Sequence, residues 1–190
     1  MEKQRCFWVT TDKIYIDYHD NEWGKPVFDD ETLFEFVILE SFQAGLSWLT
    51  ILKRRENFRK AFDYFDVKKV ANYTEDKIEE LVQNEGIIRH RGKINAAVSN
   101  AKLFIEIQKE YGSFSNFIWG YVNHQPIINH WKSREEVPAT TPLSDQIAKD
   151  FKKRGFKFFG STIIYAYMQS IGMVNDHTTN CFCYASITNQ

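Results

Sequence analysis

The sequence predicts an all-α fold on three observations. Apolar residues recur at spacings of three and four through most of the chain, helix-start and helix-stop residues punctuate those runs, and no segment alternates convincingly with a period of two. From Asp30, read as an N-cap, Leu33, Phe36, Val37 and Glu40 share one face, and Trp48, Ile51, Leu52, Phe58 and Phe62 carry the spacing into a second helix. Thr74 opens a third helix through Ile78, Leu81 and Val82 that stops at Gly86. Ile94, Val98, Ala101, Ile105 and Gln108 mark a longer one ending near Gly112, and Phe114 to Val122 form a short apolar fifth. Thr141-Pro142 is a strong start signal for a helix through Ile147 and Phe151 to Gly155. Ser161 is read as the cap of the next, which carries Ile164, Tyr167, Met168 and Ile171 before Gly172.

A length of 190 residues suits one compact unit, so a single domain over 1–190 is expected. Aromatic residues make up 16% of the chain, with 16 Phe, 9 Tyr and 5 Trp. Such a surplus lines pockets for flat or cationic ligands, and it also fills a Phe-rich core. The 24 Lys and Arg against 25 Asp and Glu give a formal charge of −1, so only local clusters can recruit nucleic acid. No stretch of about 18 consecutive apolar residues is present, which predicts a soluble, unexported chain that avoids membranes; a cytoplasmic monomer is expected. Cys6, Cys181 and Cys183 are too few for a disulfide framework and suit a reducing compartment, with metal binding or plain burial both open.

The sharpest local signal is Lys152-Lys153-Arg154-Gly155-Phe156-Lys157-Phe158-Phe159-Gly160-Ser161-Thr162, a short connection between two helices. Its glycines permit a tight turn, and the second helix presents free N–H groups at Gly160 and Ser161 that suit a phosphate, with Gly155 and Lys157 beside them. An ordinary αα-hairpin would use the same glycines for capping alone. Arg89-His90-Arg91-Gly92-Lys93 is a second basic stretch that could add phosphate contacts or simply face water.

Two further patterns bear on chemistry. Cys6 and His19 lie near one end and His177-x3-Cys181 near the other; two thiolates and two imidazoles would complete a closed tetrahedral zinc shell, or the four are unrelated. Glu40 falls on an apolar helix face, where a carboxylate needs a partner or a purpose. Trp8, Tyr15, Tyr18, Trp23 and Trp48 all lie in the first quarter of the chain, and a pocket of these around one acid would suit a flat, electron-poor base. The competing reading pairs Glu40 with a buried Arg or Tyr and places the indoles in the core. Gly45 and Leu46, in the turn Gln43-Ala44-Gly45-Leu46-Ser47, form a small tip able to wedge into the gap left by an extruded nucleotide.

Taken together, the chain resembles the type I DNA-3-methyladenine glycosylase family of the helix–hairpin–helix DNA glycosylase superfamily. The resemblance rests on Cys6-Phe7-Trp8, Tyr18-His19-Asp20-Asn21-Glu22-Trp23-Gly24, Gln43-Ala44-Gly45-Leu46-Ser47-Trp48, Gly86 to Lys93, Phe117-Ile118-Trp119, Val122-Asn123-His124-Gln125-Pro126, Lys153 to Phe158 and Val174-Asn175-Asp176-His177. It implies a helix–hairpin–helix at about 142–172 and one structural zinc held by Cys6, His19, His177 and Cys181, joining the N- and C-terminal segments. It also implies a catalytic Glu40 that contacts the base, with Trp8, Tyr15, Tyr18, Trp23 and Trp48 around it. The substrate implied is double-stranded DNA containing alkylated adenine, and the product free 3-methyladenine. Phe182 separates Cys181 from Cys183 where relatives show a tighter cluster, which leaves the role of Cys183 open, and Asp176 is a further candidate acid or a support for the zinc segment. Strand cleavage needs a lysine nucleophile, and none stands out beside the hairpin; a non-enzymatic zinc-stabilised DNA-binding module would need no pocket.

Overall fold

The computed structural model describes residues 3–188, so residues 1, 2, 189 and 190 of the expected domain lie outside the described residues. Eleven α-helices occur among them: α1 (Lys13–Asn21), α2 (Asp30–Gln43), α3 (Trp48–Leu52), α4 (Arg55–Ala61), α5 (Val67–Ala71), α6 (Glu75–Gln83), α7 (Arg91–Tyr111), α8 (Phe114–Gly120), α9 (Pro142–Arg154), α10 (Ser161–Ser170) and α11 (Phe182–Thr188). Among the described residues the β structure is a pair of two-residue parallel strands, Ile127–Ile128 beside Val174–Asn175. It ties the loop after α8 to the segment that follows α10.

The centre of the molecule is α2. All ten residues from Leu33 to Phe42 are buried, so this helix has no solvent face over that stretch, and the single apolar stripe read from its sequence is too narrow a description. Helices α3, α7, α8 and α10 pack around it. Its N-cap is Asp29, which accepts from the Thr32 N–H, and not Asp30. Asp30 instead reaches across to α8, accepting from the backbone N–H groups of Phe114 and Ser115 and from Gln108. A carboxylate one residue inside a helix can serve a neighbour's N-terminus as well as its own.

Other boundaries differ for equally local reasons. The run from Trp48 to Phe62 breaks into α3 and α4 around Lys53 and Arg54, and α5 follows it, capped by Asp66. Helix α6 is capped by Thr74 but ends at Asn84, before Gly86. Thr141 and Ser144 form a reciprocal capping box on α9, and Gly155 ends it in the left-handed region at φ +102°. Gly160, not Ser161, occupies the N-cap of α10 and gives it no side-chain cap. Helices α1, α5 and α11 were not among the expected elements. Gly172 is required by packing: at φ +70°, a Cβ there would lie 2.2 Å from the Lys25 carbonyl carbon. That close approach brings the chain after α10 against residues 24–27, where Gly24 and Val27 donate to the carbonyls of Gln169 and Ile171.

Candidate active site

The last turn of α2 delivers Glu40 and Gln43 to the wall of a cavity of about 300 Å³. The cavity lies within the range of small-ligand sites. Seven aromatic residues line it, namely Phe7, Trp8, Tyr15, Tyr18, Trp23, Trp48 and Tyr165, together with Gln169 and Asp176. Ser47 accepts from the Thr50 N–H and so starts α3 at Trp48, which fixes that indole beside Tyr18 at 5.4 Å between ring centroids. Trp8 packs on Tyr15 at 4.8 Å and edge-on to Trp23 at 4.9 Å. All six residues expected at a base pocket therefore come together.

Polar satisfaction separates two buried acids on the same helix. Glu35 accepts from Arg55 at 2.6 Å and from Arg59, and Arg55 also binds Glu22. Glu35 is thus the ion-paired structural acid. Glu40 is 2% exposed, and its Oε2 has no partner. Burial pushes the Glu40 carboxyl up to about 8, against a smaller downward pull from Ser170. Among the described residues, four buried side-chain N or O atoms lack a hydrogen-bond partner: Glu40 Oε2, Gln43 Oε1, Trp8 Nε1 and Trp48 Nε1. Every one belongs to a residue lining this cavity. Buried polar groups are otherwise paired, so two donors and two acceptors left over in one place describe a ligand's complement.

Asp176 is arranged differently. Its Oδ1 accepts from Asn129 and Trp131, and its Oδ2 from Tyr165 and Gln169, all between 2.6 and 2.8 Å. Four donors hold this carboxylate as a junction between the loop after α8, α10 and the chain entering His177.

Behind the aromatic wall, Cys6, His19, His177 and Cys181 bring their ligand atoms within 4.8 Å of one another, all buried. The S···N separations are 3.4 Å for Cys6 to His177 Nδ1, 3.4 Å for Cys181 to His19 Nε2 and 3.5 Å for Cys181 to His177 Nδ1. A tetrahedral zinc with Zn–S of about 2.3 Å and Zn–N of about 2.0 Å would need about 3.5 Å. The outer nitrogens are occupied as metal-bound imidazoles require: His19 Nδ1 lies 2.8 Å from Asp20, itself held by Arg5, and His177 Nε2 lies 3.1 Å from the Trp23 carbonyl. The donor set fits a closed four-ligand metal centre. Cys183 lies alongside, its sulfur directed at the His19 carbonyl at 4.0 Å and within 4.8 Å of ligand atoms of His19 and Asp20.

The two loops expected to meet DNA are exposed. Gly45 has φ +80° with open space around the missing Cβ, and Leu46 is 40% exposed. In the α9–α10 connection Lys157 and Gly160 face solvent, and Asn100 pins the turn by accepting from the Lys157 N–H at 3.0 Å and donating to its carbonyl at 3.1 Å. The second basic stretch does not present free charge as one set. Arg91 is paired with Glu75 and Glu79, Arg89 with Glu85, and Lys93 is buried against carbonyls of the Phe42–Ala44 turn. Gln43, Tyr165 and Gln169 line the cavity but were not singled out as site residues from the sequence, since an amide or phenol carries no signal of burial until its helix is placed.

The raised Glu40 carboxyl sets a pH dependence. The folded chain holds a proton that the unfolded chain releases in the ordinary carboxylate range, so the stability this gives is complete at acid pH and is lost as pH rises toward about 8. Relative to wild type, Glu40→Gln should gain melting temperature progressively from about pH 4.5 to about pH 8 and then hold a constant advantage. Thermal melts across that range check it; a pH-independent difference would mean that Glu40 is ionised throughout.

The sequence profile of the methyladenine glycosylase family matches residues 8–184. The chain is 51% identical over 181 residues to DNA-3-methyladenine glycosylase 1 of Escherichia coli (strain K12), covering 95% of this chain and 97% of that one. A crystal structure of 3-methyladenine DNA glycosylase I superposes with a TM-score of 0.93 at 52% identity, covering 95% of this chain and all of the other. A variant of 3-methyladenine DNA glycosylase I in complex with 3-methyladenine superposes with a TM-score of 0.91 at 37% identity, over 94% and 96% of the two chains. With matches of this depth over almost its whole length, the chain belongs to the methyladenine glycosylase family.

Proposed function

We propose that this chain is a DNA glycosylase that excises 3-methyladenine from alkylated double-stranded DNA by hydrolysing the N-glycosidic bond, without cutting the strand. The observation that carries the reading is the convergence of four unpartnered polar atoms in one aromatic cavity. A purine offers N–H donors and ring-nitrogen acceptors in one plane, and indole and phenol faces stack on it. Alkylation at N3 leaves the adenine in DNA positively charged. A cation beside Glu40 favours the ionised carboxylate, whereas neutral adenine leaves that charge buried and uncompensated. Charge and shape together thus select the lesion.

The chemistry asks little more of the protein. The cationic base is already a good leaving group; it takes the bonding electrons, water adds to the sugar carbon and a proton is released. Glu40 orients the base and stabilises positive charge as the bond breaks, and Trp8, Tyr15, Tyr18, Trp23 and Trp48 exclude solvent and stack. No lysine lines the cavity, which supports hydrolysis without strand cleavage. We assign the α9–α10 connection as a helix–hairpin–helix grip in which Gly155, Lys157, Gly160 and Ser161 hold the phosphate backbone, and Gly45 and Leu46 as the wedge that fills the extruded base's place. Cys6, His19, His177 and Cys181 would hold one zinc, and with four protein ligands its part is to staple the termini.

Two measurements check this. Chromatography of bases released from methylated DNA should show 3-methyladenine, with Glu40→Ala lowering release on the order of a hundredfold and Trp48→Ala by roughly ten- to hundredfold; undiminished release by both variants removes the site assignment. Metal analysis should return about one zinc per chain, with chelation or Cys181→Ser lowering the melting temperature. A metal-free chain of unchanged stability refutes the staple.

A further inference from the structure

The C-cap of helix α2, Ala44, makes no backbone capping bond, and Gly45 follows it in the left-handed region. The last carbonyls of the helix, those of Phe42 and of the C-cap Ala44, accept instead from the ammonium of Lys93 on α7, at 2.8 and 2.6 Å. Lys93 is 6% exposed, so its charge is committed to this turn and is withheld from solvent and phosphate. Directly beyond these carbonyls stand Gly45, at φ +80° in open space, and the exposed Leu46, whose N–H donates back to Gln43 at 2.6 Å. Directly before them stand Gln43 and Glu40, whose unpartnered oxygens line the cavity. One ammonium therefore sits at the junction of the loop tip and the pocket wall.

The same helix also reaches the hairpin. Asn100 holds both backbone groups of Lys157, and the Lys93 ammonium lies 5.9 Å from the Phe158 ring. Residues 93 and 100 are seven apart, so they fall on one face of α7 about 10 Å along its axis.

We propose that Lys93 is a positioning residue for base extrusion: it fixes the Gln43–Leu46 tip in register with the cavity and with the hairpin that Asn100 anchors on the same helix face. The inference rests on the reading of the chain as a base-extruding glycosylase. It separates two tasks, since holding the tip matters when a paired base must be displaced and not when the base is already free.

The test compares wild type, Lys93→Met and Lys93→Arg on three substrates: free 3-methyladenine followed by tryptophan fluorescence, 3-methyladenine in a single-stranded oligonucleotide, and the same lesion in a duplex under single-turnover conditions. Lys93→Met should keep free-base affinity within about twofold and single-strand release within about threefold, while duplex release falls about tenfold or more. Lys93→Arg keeps the charge and should recover part of the duplex rate; it also carries the test if Lys93→Met does not fold. Equal losses on duplex and single strand, or weakened free-base binding in step with them, would make Lys93 merely structural and overturn the inference. An unchanged duplex rate would do the same. A wild-type chain that binds free base yet releases none from either DNA would overturn the glycosylase reading as well.

Discussion

Glu40 sits on the most buried helix of the molecule and has no cation to answer it. An unpaired carboxyl in such a place costs several kcal/mol if ionised, so it holds its proton until something positive arrives. Much of the surrounding architecture follows from keeping that group buried yet reachable. Arg55 and Arg59, the nearby basic residues that could neutralise α2, are taken up by Glu35, Glu22 and Glu56. Asp176, the other acid at the cavity, is saturated by four donors. What is left at the cavity is one acid with an open acceptor, one amide and two indole N–H groups.

The aromatic wall needs support of its own, and the cysteine and histidine cluster lies directly behind it. His177 packs edge-on to Trp23 at 4.6 Å and contacts its carbonyl, while His19 packs against Trp8 at 5.2 Å. Cys6 and His177 are 171 positions apart in sequence, yet their ligand atoms are 3.4 Å apart. Closing the terminal segments onto each other therefore does more than tie loose ends: it sets two of the indoles that line the cavity. The parallel strand pair and the Asp176 junction extend that support to α10.

Much of this was legible before the fold. Glu40, the five aromatic residues and the four-residue cluster could all be named, but a carboxylate on an apolar stripe, clustered indoles and Cys/His spacing each left a core reading open, and the family resemblance chose between them. The long helix α7 and the capped helix α9 were legible because Gly112, Thr141 and Gly155 obey strong capping rules. Asp30 was misassigned since a cap for a neighbouring helix looks identical in sequence to a cap for its own. Ser161 failed similarly, Gly160 having taken the position before it. The helix-sized run from Trp48 to Phe62 hid a break, as apolar spacing survives a kink that keeps both halves on the core. Lys93 was read as one charge in a basic run, and only the three-dimensional end of α2 shows that it caps a carbonyl turn 49 to 51 residues away.

The claim at the centre is that one buried acid converts positive charge on a purine into selectivity. Equilibrium titration of 3,9-dimethyladenine, a fixed cation with a methyl group in the place of the sugar, and of neutral 9-methyladenine, followed by quenching of tryptophan fluorescence, tests it most directly. The account predicts at least about tenfold tighter binding of the cation by wild type and near-equal, weak binding of the two by Glu40→Gln. Equal affinity for both bases in the wild-type protein, or full discrimination retained by the glutamine variant, would contradict it.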